Sequence, residues 1–364
     1  MKYKFLTCIN TLLISSTGFA APNDLFLEAY APNQNQKLNL SVSLDAVNDT
    51  VDVFDIRESE GLNSEAGDYL GAHLIADYRI TPEWAIEGQY WYREIDFAGS
   101  TNKVNTGALA IKYQPEWLSS DKSQWAFKAS VWGNQADELL KATPTMIEKN
   151  QIDQIRVDQP KDLQFQFDTI FSHTIDPMNR INLFGSFGYS KVEIERLNIR
   201  AQHKNCENPI NISINNNNQY QLSEPCSQKG WDINVFPITG DASQFGFNVQ
   251  EDLNYEAYYA GIGGSWNWRY KKFESQLAYQ YQKLWRDNLD DRISQLGSSP
   301  IDDNHSIGAK FSYDFSKKMT GFVKAEMYEN NLIGYLPFLY NGITASRLDK
   351  RYGLASIGIQ YRGF

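Results

Sequence analysis

Two pairs of like charges emerge when the chain is folded back about its shortest turn signals. A hairpin about Thr81-Pro82 sets Asp77 opposite Glu87, and one about Ser316-Lys317-Lys318 sets Lys310 opposite Lys324. Like charges directly across an antiparallel ladder repel, so each pair needs water, a counter-ion or opposite charges facing it. Arg93, Lys112, Lys128, Arg286 and Arg362 share the polar parity of their own segments, as do His73, Gln276 and Gln280. By the same folding, Gln276 should face Ser265, Gln280 should face Gly261 and Gln282 should face Tyr259. Carboxylates on one wall and ammonium groups on another set up a transverse field that orients polar solutes. The competing reading is an interior in which these charges neutralise one another and fill the space.

Catalysis has weaker support. The chain has 4 His. His73 should face Trp91, and Asp77 lies four residues along the same strand, roughly 13 Å away at about 3.3 Å per residue. That is too far for a base and the group that orients it. His173 and His305 have the apolar parity near opposite ends of their segments, and His203 belongs to a long connection. No arrangement of the outer-membrane phospholipase or omptin kind is present, so the expectation is a non-enzyme without a cofactor.

Segments with a period of two must position these groups. The stretch Lys350 to Phe364 carries Ala355, Ile357, Ile359 and Tyr361 on one parity, and Ser356, Gly358, Gln360 and Arg362 on the other. Eleven earlier segments alternate in the same way: 37–45, 69–80, 84–97, 105–114, 125–134, 162–174, 181–195, 253–269, 273–287, 304–315 and 319–329. Short links follow the second, sixth, eighth and tenth segments, and long links follow most of the others. Twelve such strands, with short turns at one rim and long loops at the other, predict an all-β transmembrane antiparallel barrel. A mean hydropathy of −0.50 is compatible with this, because strands with one polar face average out.

The pattern resembles Gram-negative outer-membrane β-barrel proteins, which end on an aromatic residue after an alternating strand. Phe364 provides that ending one step out of phase, and Gly363 could bulge to correct it. The resemblance implies insertion in the bacterial outer membrane after export through the periplasm. It also implies contact with lipid and lipopolysaccharide, and help from the barrel-assembly machinery. The expected function is a porin-like channel for small polar solutes, in a barrel that stands alone or in an oligomer. The alternative is a closed barrel serving as a surface interaction protein through its loops. An autotransporter-like translocator fits less well, since about sixteen residues between the expected cleavage site and the first strand are too few for a passenger domain.

Residues 1–20 read as a signal peptide, with Lys2 and Lys4, an apolar stretch from Phe5 to Ser16, and cleavage after Ala20. Residues 21–36 are then expected as a periplasmic segment, and 37–364 as one barrel domain. With Cys8 removed, Cys206 and Cys226 favour one disulfide in an exported chain, worth roughly 3 kcal/mol for a loop of about twenty residues. That loop could be a lid, a receptor surface or a protected loop. The segment 135–161 carries Leu139, Leu140, Ile152 and Ile155, too apolar for free solution; it either folds inward as a constriction or packs on the loop above it. Asp49, Asp52 and Asp55 in one long loop, and Asp290 and Asp291 in another, are weak candidates for a divalent cation at the rim. The formal net charge of −10 opposes nucleic-acid binding.

Overall fold

The computed structural model describes residues 24–29, 37–47, 69–97, 100–141, 145–147, 150–202, 206, 208–223, 238–245, 248–295, 299–329, 337–341 and 352–363. Alternation gives each of twelve segments two unlike faces, and each forms a strand. They are β1 (Leu38–Val47), β2 (Tyr69–Arg79), β3 (Trp84–Phe97), β4 (Ser100–Tyr113), β5 (Ser123–Ala136) and β6 (Lys161–Thr174). The second half supplies β7 (Asn179–Glu193), β8 (Tyr255–Tyr270), β9 (Phe273–Arg286), β10 (Asp303–Asp314), β11 (Met319–Tyr328) and β12 (Tyr352–Gly363). Each pairs with its neighbours in chain order, and β12 returns antiparallel to β1 to close the barrel. The seam runs from Leu38 opposite Gly363 to Val47 opposite Leu354. Closure leaves no unpaired strand edge, which is what a sheet needs to stand in hydrocarbon.

The outward parity is apolar. Ile262, Ile357 and Leu70 are 66%, 63% and 62% exposed, in a continuous belt with Leu109, Leu183, Phe187 and Phe311. Exposed apolar surface on this scale belongs against lipid. Rings flank the belt at both levels: Trp84 stacks on Tyr113 at 4.5 Å near the short turns, and Tyr189 lies 5.4 Å from Tyr258 near the long loops. In β12, Ile357 and Ile359 face out while Ser356 is buried. Phe364 lies outside the described residues.

One hairpin departs from expectation. Tyr270 pairs with Phe273, so Gln276, Gln280 and Gln282 face Asn267, Gly263 and Gly261, two residues away from the expected partners. Lys271 adopts a left-handed conformation (φ 54°), which permits a two-residue turn of Lys271 and Lys272, centred one residue further along than the expected pairings require.

Two long loops build a second sheet of seven strands. Segment Asn150–Asp158, from the connection between β5 and β6, pairs with Arg196–Gln202, from the connection between β7 and β8. The apolar 135–161 segment therefore packs partly on the neighbouring loop. Leu197, Ile214, Tyr220 and Leu253 form the sheet's own buried core with Ile152 and Ile199. Leu197→Asp would bury an unpaired charge there, costing several kcal/mol. Limited proteolysis is expected to cut this loop layer at least roughly tenfold faster than in the native protein, while the barrel keeps its folded, heat-modifiable migration in detergent gels. Unchanged cleavage would mean that the loop core does not hold the layer together.

Candidate functional site

The inward parity of the strands sets the wall chemistry. Asp77 stands opposite Glu87 and Lys310 opposite Lys324, as the hairpins require. The acidic pair is relieved from across the next strands. Lys128 Nζ lies 2.7 Å from Glu87 Oε1, and Lys112 is directly opposite Lys128. Gln89 donates to Glu87 at 2.6 Å and Asn39 to Asp77 at 3.4 Å. The basic pair is relieved less completely: Lys324 meets Glu326 at 2.8 Å, whereas Lys310 Nζ sits over the Phe322 ring at 5.0 Å. Beside these lysines is a cavity of about 70 Å³, bordered by Asp24, Phe26, His73 and Trp91, with room for a few waters. His73 stacks on Trp91 at 4.9 Å, and its Nε2 lies 3.1 Å from Gln89 Oε1. His173 pairs with Ser123 and His305 with Tyr279, both at 2.8 Å, while His203 lies outside the described residues.

Arg93 and Arg286 do not line open space. Arg93 donates to Thr106 and to Asn134 (2.9 Å) and lies over the Trp91 ring at 4.4 Å. The Arg286 side chain is 0% exposed, donating to Asp290 at 2.9 Å and to the Ile301 carbonyl at 2.8 Å. It anchors the helix Leu289–Gln295, whose Leu289 and Ile293 fold into the barrel mouth with Phe338 and Tyr340. Asp290 is thus engaged by Arg286. Burial pushes its carboxyl above the ordinary range, with Arg286 pulling the other way. Asp291 is exposed, and among the described residues no group of three potential metal ligands assembles. Asp49, Asp52 and Asp55 lie outside the described residues. At the short-turn rim, Arg362 meets Asp314 at 3.4 Å, and Asp176 caps its turn by accepting from the Met178 and Asn179 amides. The hydrogen bonds from Asn179 and the Met178 amide hold the Asp176 carboxyl below its usual range.

The largest departure is in the segment expected as periplasmic. Asp24 to Ala29 lies inside the barrel, with Leu25 and Ala29 fully buried and Phe26 and Leu27 nearly so. Leu27 and Ala29 pack on Ala126, Ile170 and Phe184 of the lower wall. Leu25 and Phe26 join the apolar cluster that runs up through Trp91, Trp132 and Tyr259 to the mouth. Glu28 is gripped by its carboxylate. Asn267 Nδ2 donates to Oε1 at 2.5 Å, Gln276 Nε2 donates to the same oxygen, and Arg180 meets Oε2 at 3.2 Å. Lys112 Nζ donates to the Glu28 carbonyl, and Ser172 Oγ accepts from the Ala29 amide at 2.9 Å. The sequence carried one signal for this: Leu25-Phe26-Leu27 is too apolar for a linker. A second feature was also hidden. Tyr259 lies flat across Gly188, its direct partner, in space a Cβ there would occupy.

The closed even-stranded barrel, its lipid-facing belt and its asymmetric rims define a transmembrane β-barrel of the outer-membrane type. No protein-family model matches the sequence, and no curated protein matches it. Among solved structures, the chain is similar to the NanC porin (6% identity, TM-score 0.42, covering 89% of this chain and 99% of that one). It is also similar to the translocator domain of autotransporter NalP from Neisseria meningitidis (7%, TM-score 0.46, 90% and 89%). A third is the toluene transporter TodX from Pseudomonas putida (8%, TM-score 0.43, 96% and 95%). At these identities the likeness is one of barrel architecture.

Proposed function

We propose that this chain is an outer-membrane channel for small polar solutes, shut in the described conformation by its own Asp24–Ala29 segment. The observation that carries the reading is that the closing element lies inside the barrel and is not one of its strands. It crosses no strand, and it is held by contacts that a solute can replace. Burying Leu25, Phe26 and Leu27 contributes about 5–9 kcal/mol at roughly 1.5–3 each, while ordering six residues costs about 6–12 kcal/mol at roughly 1–2 each. Apolar burial alone therefore does not hold the plug, and its seating depends on the polar contacts of Glu28 and Ala29 that a solute can replace.

Single-channel recording with Lys310→Glu and Lys324→Glu tests whether this wall borders the path. Reversing both charges is expected to shift ion preference toward cations, and an unchanged preference would remove the pair from the path. Export by a cleaved signal peptide, insertion by the assembly machinery and contact with lipopolysaccharide belong to the same reading. So does a Cys206–Cys226 disulfide, supported by the burial of Cys206 in the loop core; Cys226 lies outside the described residues.

A second reading has its own support. Trp132 and Tyr259 are each 1% exposed and meet edge to face at 6.4 Å, which favours a permanently filled barrel presenting its loop sheet to a partner.

A further inference from the structure

We infer that the site holding Glu28 is a carboxylate-binding site of the channel, and that its solutes are small carboxylates with an apolar body, for which the Asp24–Ala29 segment is a built-in stand-in. The inference rests on the channel reading and gives that channel a solute class. Glu28 reaches the wall from a separate segment, more than 150 residues from Arg180 and more than 230 from Asn267 and Gln276, and Asn267 is oriented from the wall itself by Asn182, which donates to its Oδ1 at 3.1 Å. Asn267 and Gln276 are each 4% exposed, and both aim an amide at one oxygen while the guanidinium takes the other. Planar two-oxygen recognition with a cation on one side is the chemistry of a carboxylate site.

The surroundings restrict what is attached to that carboxylate. On either side of Glu28, Leu27 and Ala29 sit against Ala126, Ile170 and Phe184. None of these three side chains can hydrogen-bond. Where a sugar acid's hydroxyls meet these three side chains they find no partner, at a cost of about 1–3 kcal/mol per stranded group, and only hydroxyls near Ser172 Oγ or Lys112 Nζ are met. An aliphatic or aromatic carboxylate would meet the patch as Leu27 does. As solute enters, its carboxylate takes the place of Glu28, the segment loses its side-chain anchor, and occupancy becomes coupled to opening.

Isothermal titration of the full-length protein in detergent tests this, with hexanoate as probe and hexanol and gluconate as comparators. Glu28→Ala removes the competing group, and Glu28→Gln removes its charge at equal size, should the alanine variant fold poorly. Hexanoate is expected to bind these variants at least about tenfold more tightly than the native protein, neither comparator should show the gain, and Arg180→Met added to either variant should abolish it. Equal hexanoate binding by native and variant proteins would overturn the site. So would a gain shared by hexanol or gluconate, or one that survives Arg180→Met. Liposome swelling on the same samples separates the two readings. Hexanoate binding with tight liposomes keeps the site and removes the channel, whereas swelling without the binding gain keeps the channel and removes the site.

Discussion

Full-length protein carrying Leu25→Asp and Phe26→Asp is expected to conduct at least about tenfold more current in planar bilayers than the native barrel. Both side chains are buried in the apolar cluster that includes Trp91, Trp132 and Tyr259. Each substitution forfeits about 1.5–3 kcal/mol of apolar burial, and Leu25→Asp adds the cost of a buried charge, whereas at position 26 Lys310 and Lys324 border the adjoining cavity. The native segment is close to balance between apolar burial and chain entropy, and every 1.4 kcal/mol moves an equilibrium tenfold, so the plug should leave. Gly308 sharpens the point, because a Cβ there would stand 2.9 Å from the Phe26 ring: the wall is shaped to receive that ring. Native-like conductance in the variant, with the barrel folded, would mean that the segment does not control the path.

The second large effect concerns the buried charges. Lys128 is 4% exposed, 2.7 Å from Glu87, and paired in register with Asp168, which is 0% exposed. Lys128→Met leaves the buried Asp168 and the partly buried Glu87 without the cation between them, and breaking a fully buried pair costs about 3–5 kcal/mol, an upper bound here. The urea midpoint of the folded barrel should fall accordingly. Adding Glu87→Gln should recover part of the loss, because one of the stranded charges is then gone. A midpoint that Lys128→Met leaves unmoved would indicate that water, rather than the ion pair, solvates this level of the lumen.

The barrel was legible in the sequence because a strand between lipid and a polar interior writes its two faces as a period of two. The register followed where turns were tight: Asp77 with Glu87 and Lys310 with Lys324 came from symmetry about Pro82 and Lys317. It slipped at Lys271, where the left-handed residue centres the turn one position further along and so moves every glutamine pairing by two. Parity alone says that a residue points inward, but not what meets it there. Arg93 and Arg286 therefore read as wall charges, although Asn134 from another strand binds the first and Asp290, in the helix just after β9, binds the second. The seating of Glu28 was illegible for the same reason. Its partners Arg180, Asn267 and Gln276 come together only when the barrel closes, and nothing local to residues 24–29 names them.

Liposome swelling is the most direct test of a solute path shut by an internal plug. Purified native protein and the Leu25→Asp/Phe26→Asp variant are reconstituted equally and exposed to a graded series of neutral sugars. Slow swelling with native protein, and fast swelling with the variant that falls off as the sugars grow, is the expected result. Liposomes that stay tight with both proteins, each verified as folded, would contradict the channel and leave the filled barrel with its loop sheet as the function-bearing form.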